Sequence, residues 1–228
     1  VMLSTRELSA EKLPSEAQNW VNSHLVYTHG HGVAMSAVNS VNDKGQPEMF
    51  LEGVPATPAP GYEELAMDQP GVYYGLKSLP FVIVNSKQKE LDYQGEGSEP
   101  VFTEYQGTGG VGLSSLLRRV AYAWQMADIN VFISGQIDTS KSRIQYRRTV
   151  PERFSTITPF LQADNDPYQV VADKRIFFIQ DGYTMTNQYP YSTPWEQTEF
   201  NYIRNSVKTV VDAYNGSCLL YTSDAADE

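Results

Sequence analysis

Apolar and polar positions along this chain alternate over short runs and recur at helical spacing in only a few places. That pattern predicts many short strands and a handful of helices. LPSEAQNWVNSHL sets Trp20, Val21 and Leu25 at helical spacing behind Ser15, a residue suited to an N-cap, and predicts a helix over 16–26. GVAMSAVNSV and PEMFLEGVP read as strands around an NDKG turn. Residues 55–71 are acidic and rich in Pro and Gly, and read as an exposed connection. VYYGLKSLPFVIVNS holds two expected strands, the second, from Phe81 to Val84, wholly apolar and expected to be central. The strongest helical signal follows: Leu113, Leu116, Leu117, Val120 and Trp124 recur at three- and four-residue intervals. Such a stripe ordinarily faces a core.

INVFISG and RIQYRR read as strands, and PERFSTITPFL as a short helix with Pro151 in its first turn. YQVVADKRIFFIQDGYTMT is the best hairpin signal, with two β-rich runs around ADKR and a third expected to begin after DG. FNYIRNSVKTVVDAYNG is expected to be a helix with Tyr202, Val207, Val210, Val211 and Tyr214 inward, Arg204 and Lys208 outward, and Gly216 as its stop. No repeat is visible, and helices and strands do not alternate as βαβ units. The expected fold is therefore α+β, a mixed or antiparallel sheet with several packed helices in a single domain over 1–217.

Composition narrows the function. A chain of 228 residues with 41% hydrophobic and 19% charged residues is long enough for a sizeable core. Its fifteen tyrosines suit half-wet pockets and contact surfaces. A formal charge of −10 argues against a nucleic-acid partner, which calls for a basic field. No apolar run reaches the ~18 residues of a membrane span. The opening VMLSTRELSAEKLP carries Arg6 and Glu7 where a signal peptide would be apolar, and a start at Val1 suggests a piece of something longer. CLLYTSDAADE reads as an in-frame translation of a sequencing-library adapter, so 218–228 is expected to be a non-native tail. Cys218, the only cysteine, falls within it, which leaves no disulfide and an undecided redox compartment.

Three stretches carry candidate chemistry. All the histidines fall in HLVYTHGHG. His29 and His31 would share a face if extended, as metal-binding pairs do. Gly30 and Gly32 interrupt that strand and no acid is near in sequence, so a polar turn is the favoured reading and metal the alternative. GTGGVG matches the glycine spacing of a dinucleotide loop through Gly107, Gly109 and Gly112. It lacks the buried strand before it and the acid at the end of the next strand. The glycines read as a sharp turn into a helix whose free amides could hold an anion. Arg118, Arg119, Arg143, Arg147, Arg148 and Arg153 stand out in an acidic chain. They are either paired surface groups or an anion-binding patch, because a planar guanidinium matches phosphate. The candidate anion site is Gly107, Gly109, Gly110, Arg118, Arg143, Arg147 and Arg148. No nucleophile motif occurs, and no cofactor is expected.

Several strings in order, among them NWVNSHLVYTHGHG, FVIVNSKQKELDY, YQGTGGVGLSSLLRR, RIQYRRTVPERF and NYIRNSVKTVVDAYNG, resemble the uncharacterised protein family 0182 over nearly all of 3–216. These are bacterial multi-pass membrane proteins. The resemblance implies an upstream helical membrane region and places this stretch outside the cytoplasmic membrane. It carries no assigned activity. The family usually has Tyr where this chain has His31, which favours the turn over a metal site.

The expected function is therefore an extracytoplasmic domain that binds a protein partner or an anionic envelope component. The alternative is a metal-assisted hydrolase of envelope material, which would need His29 to converge with another histidine and an acid. A domain gating a transporter is a third, weaker option.

Overall fold

The structure, a computed structural model, describes residues 1–9, 15, 18–77, 80–95, 97, 99–196 and 198–222. Its strands in chain order are β1 (Met2–Thr5), β2 (Gly30–His31), β3 (Val33–Val41), β4 (Pro47–Glu52), β5 (Thr57–Pro58), β6 (Gly71–Val72), β7 (Val82–Val84) and β8 (Glu90–Gln94). There follow β9 (Pro100–Thr103), β10 (Val111–Gly112), β11 (Arg143–Gln145), β12 (Gln162–Ala163), β13 (Tyr168–Ala172), β14 (Arg175–Thr186), β15 (Tyr202–Asp212) and β16 (Cys218–Thr222). The α-helices are α1 (Leu116–Gln125), α2 (Asn130–Ile133) and α3 (Val150–Ile157), and Asn22–Val26 forms a π-helical turn. Strand outweighs helix, 38% to 16%, so the α+β class holds with most of the weight in sheet. Among the described residues no helix is long and apolar enough to cross a membrane.

The sheets are antiparallel and small. One runs β1-β3-β4-β5, a second β10-β11-β7, and the largest β12-β14-β15-β16 with β13 also on β14; β2 pairs β6 and β8 pairs β9. The first and largest sheets pack through Val33, Leu51, Val72, Ile176, Phe178 and Val211. Burying each such side chain stabilises the fold by about 1.5–3 kcal/mol. A second cluster joins Leu25, Ile83, Leu113, Val131 and Ile144. A third, rich in phenol rings, holds Tyr73, Tyr74, Val82, Val84 and Tyr105, with Tyr214 against it. Along β14 the alternation is strict: Ile176, Phe178, Gln180 and Gly182 face inward. Gly182 leaves room for Phe154 of α3, whose ring tip would lie 2.6 Å from a Cβ there.

Several expectations are met. The hairpin over 168–186 is present, its turn made by Asp173 and Lys174, both at positive φ. The strands around NDKG form the β3–β4 pair, and Pro151 sits in the first turn of α3. Others are corrected. The helix expected over 200–216 is β15, paired on both sides by β14 and β16. Its Val, Ile, Thr and Tyr residues suit a pleated surface better than a helix. The DG step is not a turn, since β14 runs through it with a bulge between Gly182 and Tyr183. INVFISG is helical as α2, started by the Asp128 carboxylate accepting from the Asn130 amide. In the Phe81–Val84 run, Val82, Ile83 and Val84 are buried and Phe81 half-buried, but β7 pairs only with β11, so it is not central in its ladder. Of the expected 16–26 helix, Glu16 and Ala17 lie outside the described residues, and the helical part runs from Trp20 to Val26. Within the expected tail, Cys218–Thr222 pairs with β15, and 223–228 lies outside the described residues.

Candidate functional site

Two clefts of opposite character flank the tyrosine-rich cluster. The first grows from the end of β11. After Gln145 the chain leaves the ladder, and Arg147 adopts a positive φ of 50°, a conformation costing an L-residue about 1–2 kcal/mol. The turn leaves Arg147 exposed and Arg148 buried, and Arg147 lies beyond the strand that holds Arg143. Arg148 is buried and donates to the carbonyls of Tyr73, Pro80 and Thr28. Burial pulls its guanidinium down to about 10, while Tyr74, Tyr73, Glu90 and Glu7 act in the opposite sense. It is a brace that ties three segments together.

The other arginines divide similarly. Arg143 donates to the carbonyls of Thr108, Gly109 and Gly110 and so holds the glycine loop in place. Arg118 donates to the Gly112 carbonyl. Arg119 donates to the carbonyls of Val131, Phe132 and Ser134 at the end of α2. Arg153 donates to the carbonyls of Arg147 and Gly216 and lies over the Tyr74 ring at 4.7 Å. Among the described residues, these side chains meet carbonyl oxygens rather than carboxylates. Arg147 differs. It is exposed, lies 5.9 Å from the Tyr146 ring centre, and donates no hydrogen bond among the described residues.

Arg147 and Arg153 line one cleft of about 280 Å³ with Gly110, Tyr146 and Thr156. The buried Arg153 Nε has no hydrogen-bond partner among the described residues. The cleft therefore offers the free guanidinium of Arg147 beside the positive charge of Arg153, whose two terminal nitrogens already donate to carbonyls. Of the sequence-predicted anion residues it gathers Gly110 and Arg147; Arg143 and Arg148 act behind it as braces. Gly107, Gly109 and Gly110 serve close approach. A Cβ at Gly107 would run into Tyr105 and Asn215, one at Gly109 into the Asn215 carbonyl, and one at Gly110 into the Ile144 carbonyl. The loop amides of Thr108 and Gly109 are taken by Asn215 Oδ1 and Tyr105 OH. The helix beyond begins at Leu116, capped by Ser115, so the loop is not its N-terminus.

The second cleft, about 210 Å³, is lined by His29, Asp68, Tyr73, Asp92, Glu104 and Tyr214 among others. His29 and His31 both reach Asp92 Oδ1, through Nε2 at 3.3 Å and Nδ1 at 2.7 Å. A carboxylate only accepts, so each imidazole donates there. Burial of Asp92 works against its charge, but the bonds from His29 and His31 outweigh it and hold the carboxyl well below the usual range. His29 stacks on Tyr73 at 4.4 Å and meets Thr28 Oγ1 at 2.8 Å. Thr28 Oγ1 and Tyr73 OH both donate to the buried Glu90. His24 stands apart: its Nδ1 donates to the Phe81 carbonyl and its ring stacks on Phe81. Burial, the larger effect, lowers the His24 pKa against that hydrogen bond.

Among the described residues no group of three His, Cys, Asp or Glu side chains is placed to hold a metal ion. His29 and His31 present N–H groups to a shared carboxylate. Sequence reasoning missed Asp92 and Glu90, which lie about sixty residues away. Their one local trace is the alternation of acids in ELDYQ, Glu90 and Asp92 falling on one face of β8.

The sequence pattern of the family described as "Uncharacterised protein family (UPF0182)" matches residues 1–228. The chain is 43% identical over 227 residues to a UPF0182 protein of Pelotomaculum thermopropionicum, covering all of this chain and 24% of that one. It is 43% identical over 232 residues to one of Sulfurovum sp. (100% and 25% covered). It is 44% identical over 227 residues to one of Cupriavidus necator (100% and 24%). The chain thus spans about a quarter of the length of the curated relatives it matches. No solved structure matches it.

Proposed function

The chain belongs to the uncharacterised protein family UPF0182, and from that premise we propose that it is a binding domain on the outer side of a bacterial cytoplasmic membrane. It takes the anionic group of an envelope component in the Arg147–Arg153 cleft. One observation carries this reading: the exposed Arg147 guanidinium, without a hydrogen-bonding acceptor among the described residues, shares a cleft with a second cation, Arg153. Arginine forks bind phosphate and carboxylate through paired N–H bonds. The braces Arg143 and Arg148 keep the surrounding loops rigid, which lowers the ordering cost of binding.

A thermal melt against inorganic phosphate, sulfate, acetate and glycerol phosphate tests it. A ligand at about a hundred times its Kd adds roughly 2.7 kcal/mol of stability. Phosphate or glycerol phosphate is expected to raise Tm by a few degrees, and Arg147→Gln to abolish the rise without lowering the unliganded Tm. No rise with any of the four anions would overturn the reading.

A second reading, hydrolysis of envelope material, is favoured by the convergence of His29 and His31 on Asp92 at the edge of the acid-lined cleft. It predicts turnover of a model ester, amide or phosphodiester that His29→Gln removes. Activity unchanged in that variant would sink it.

A further inference from the structure

The apolar stripe of α1 faces solvent. Leu116, Leu117, Val120 and Trp124 are exposed, Leu117 at 81% and Trp124 at 89%, and α1 buries no side chain. Ile129 and Ile133 of the neighbouring segment extend the same surface at 62% and 63%. These six side chains expose on the order of 700 Å² of apolar area, more than the roughly 300–600 Å² of the largest patch on a typical monomer. Between α1 and α2 lies a groove of about 610 Å³, with Ala123, Phe132 and Ala127 in its walls and Trp124 on its rim.

We propose that this face is a self-complementary interface and that its occupant is a second copy of this chain. Knob and hole occur on one patch: Trp124 of each copy enters the α1–α2 groove of the other. That reciprocity is what two-fold pairing requires. The available area is close to the roughly 800 Å² that each partner of a stable dimer buries. Charge supports the same occupant. Like-to-like pairing in a chain of formal charge −10 needs a patch without net charge. The groove's one acid, Asp128, already accepts from Trp20 Nε1 and the Asn130 amide. A lipid surface would call for basic side chains turned outward along the helix. Here Arg118 and Arg119 are both engaged with carbonyls.

Light scattering and sedimentation of the full chain across a wide concentration range test the proposal. The mass is expected to double as concentration rises, with Trp124 emission shifting to the blue. Trp124→Glu and Leu117→Glu, at positions that bury nothing in the monomer, are expected to keep the Tm of the dilute chain and stay monomeric. Phe160→Glu, exposed elsewhere, is expected to leave the dimer intact. A chain monomeric at every concentration overturns the proposal, as does a dimer that survives both α1 variants. Flotation of the monomer with phosphatidylcholine–phosphatidylglycerol vesicles, lost in Trp124→Glu, also overturns it and assigns the face to lipid.

Discussion

His31 Nδ1 lies 2.7 Å from Asp92 Oδ1, the same oxygen that His29 Nε2 meets at 3.3 Å. One carboxylate thus fixes two imidazoles on a glycine-punctuated turn and ties that turn to β8. Asp92→Asn removes the charge while keeping the shape. A hydrogen bond to a charged group contributes about 1.5–3 kcal/mol, so a loss of that order is expected in urea unfolding at pH 7.

The same carboxylate sets an acid dependence. Because the folded state holds Asp92 below its unfolded value, its contribution is fully present above the ordinary carboxylate range near 4 and is lost as pH falls below it. The stability gap between the parent chain and Asp92→Asn should narrow between about pH 4 and pH 2. A gap that stays constant over that range would mean the carboxylate charge is not what the imidazoles hold.

His24 gives a second titration of known sign. Burial lowers its pKa, so the unfolded chain takes up the proton first. The contribution of neutral His24 is present above about pH 6.5 and is lost as pH falls through the lower folded value. NMR of the imidazole carbons should show His24 titrating below the free-histidine range. A midpoint at or above that range would contradict the burial seen here.

Gly182 and Phe154 should be energetically coupled. A Cβ at 182 meets the tip of the buried Phe154 ring, and overpacking of this kind costs about 1–3 kcal/mol. Gly182→Ala should cost less in a Phe154→Leu background. Additive losses in the double-mutant cycle would show that the two do not compete for the same space.

Gln145 is fully buried, and neither its Nε2 nor its Oε1 has a hydrogen-bond partner among the described residues. Gln145→Met removes that penalty at similar volume and is expected to raise stability by about 1 kcal/mol. A fall in Tm would show that the amide makes polar contacts worth more than their burial cost.

Legibility in the sequence followed the range of the interactions. The 168–186 hairpin and the β3–β4 pair were readable because their turns and alternation are local. β15 was not. Val207, Val210, Val211 and Tyr214 fall at three- and four-residue intervals by coincidence, and only pairing with distant β14 decides for strand. α2 depends on Asp128 and on Arg119 reaching the carbonyls at its end, a contact that a four-residue apolar run does not announce. The stripe of α1 was legible as a stripe, but which way it faces depends on what packs around it. At the clefts, Gly110 and Arg147 were candidates from sequence. Which arginines would be consumed by carbonyls was not readable, because each acceptor belongs to a loop placed by the tertiary fold.

The most direct test of the central reading is an amide NMR titration of the labelled chain with inorganic phosphate. Saturable shifts are predicted at Gly110, Tyr146, Arg147, Arg153 and Thr156, and they should vanish in Arg147→Gln. Shifts scattered over the surface and rising without saturation, or unchanged in that variant, would contradict an anion-binding role for this cleft.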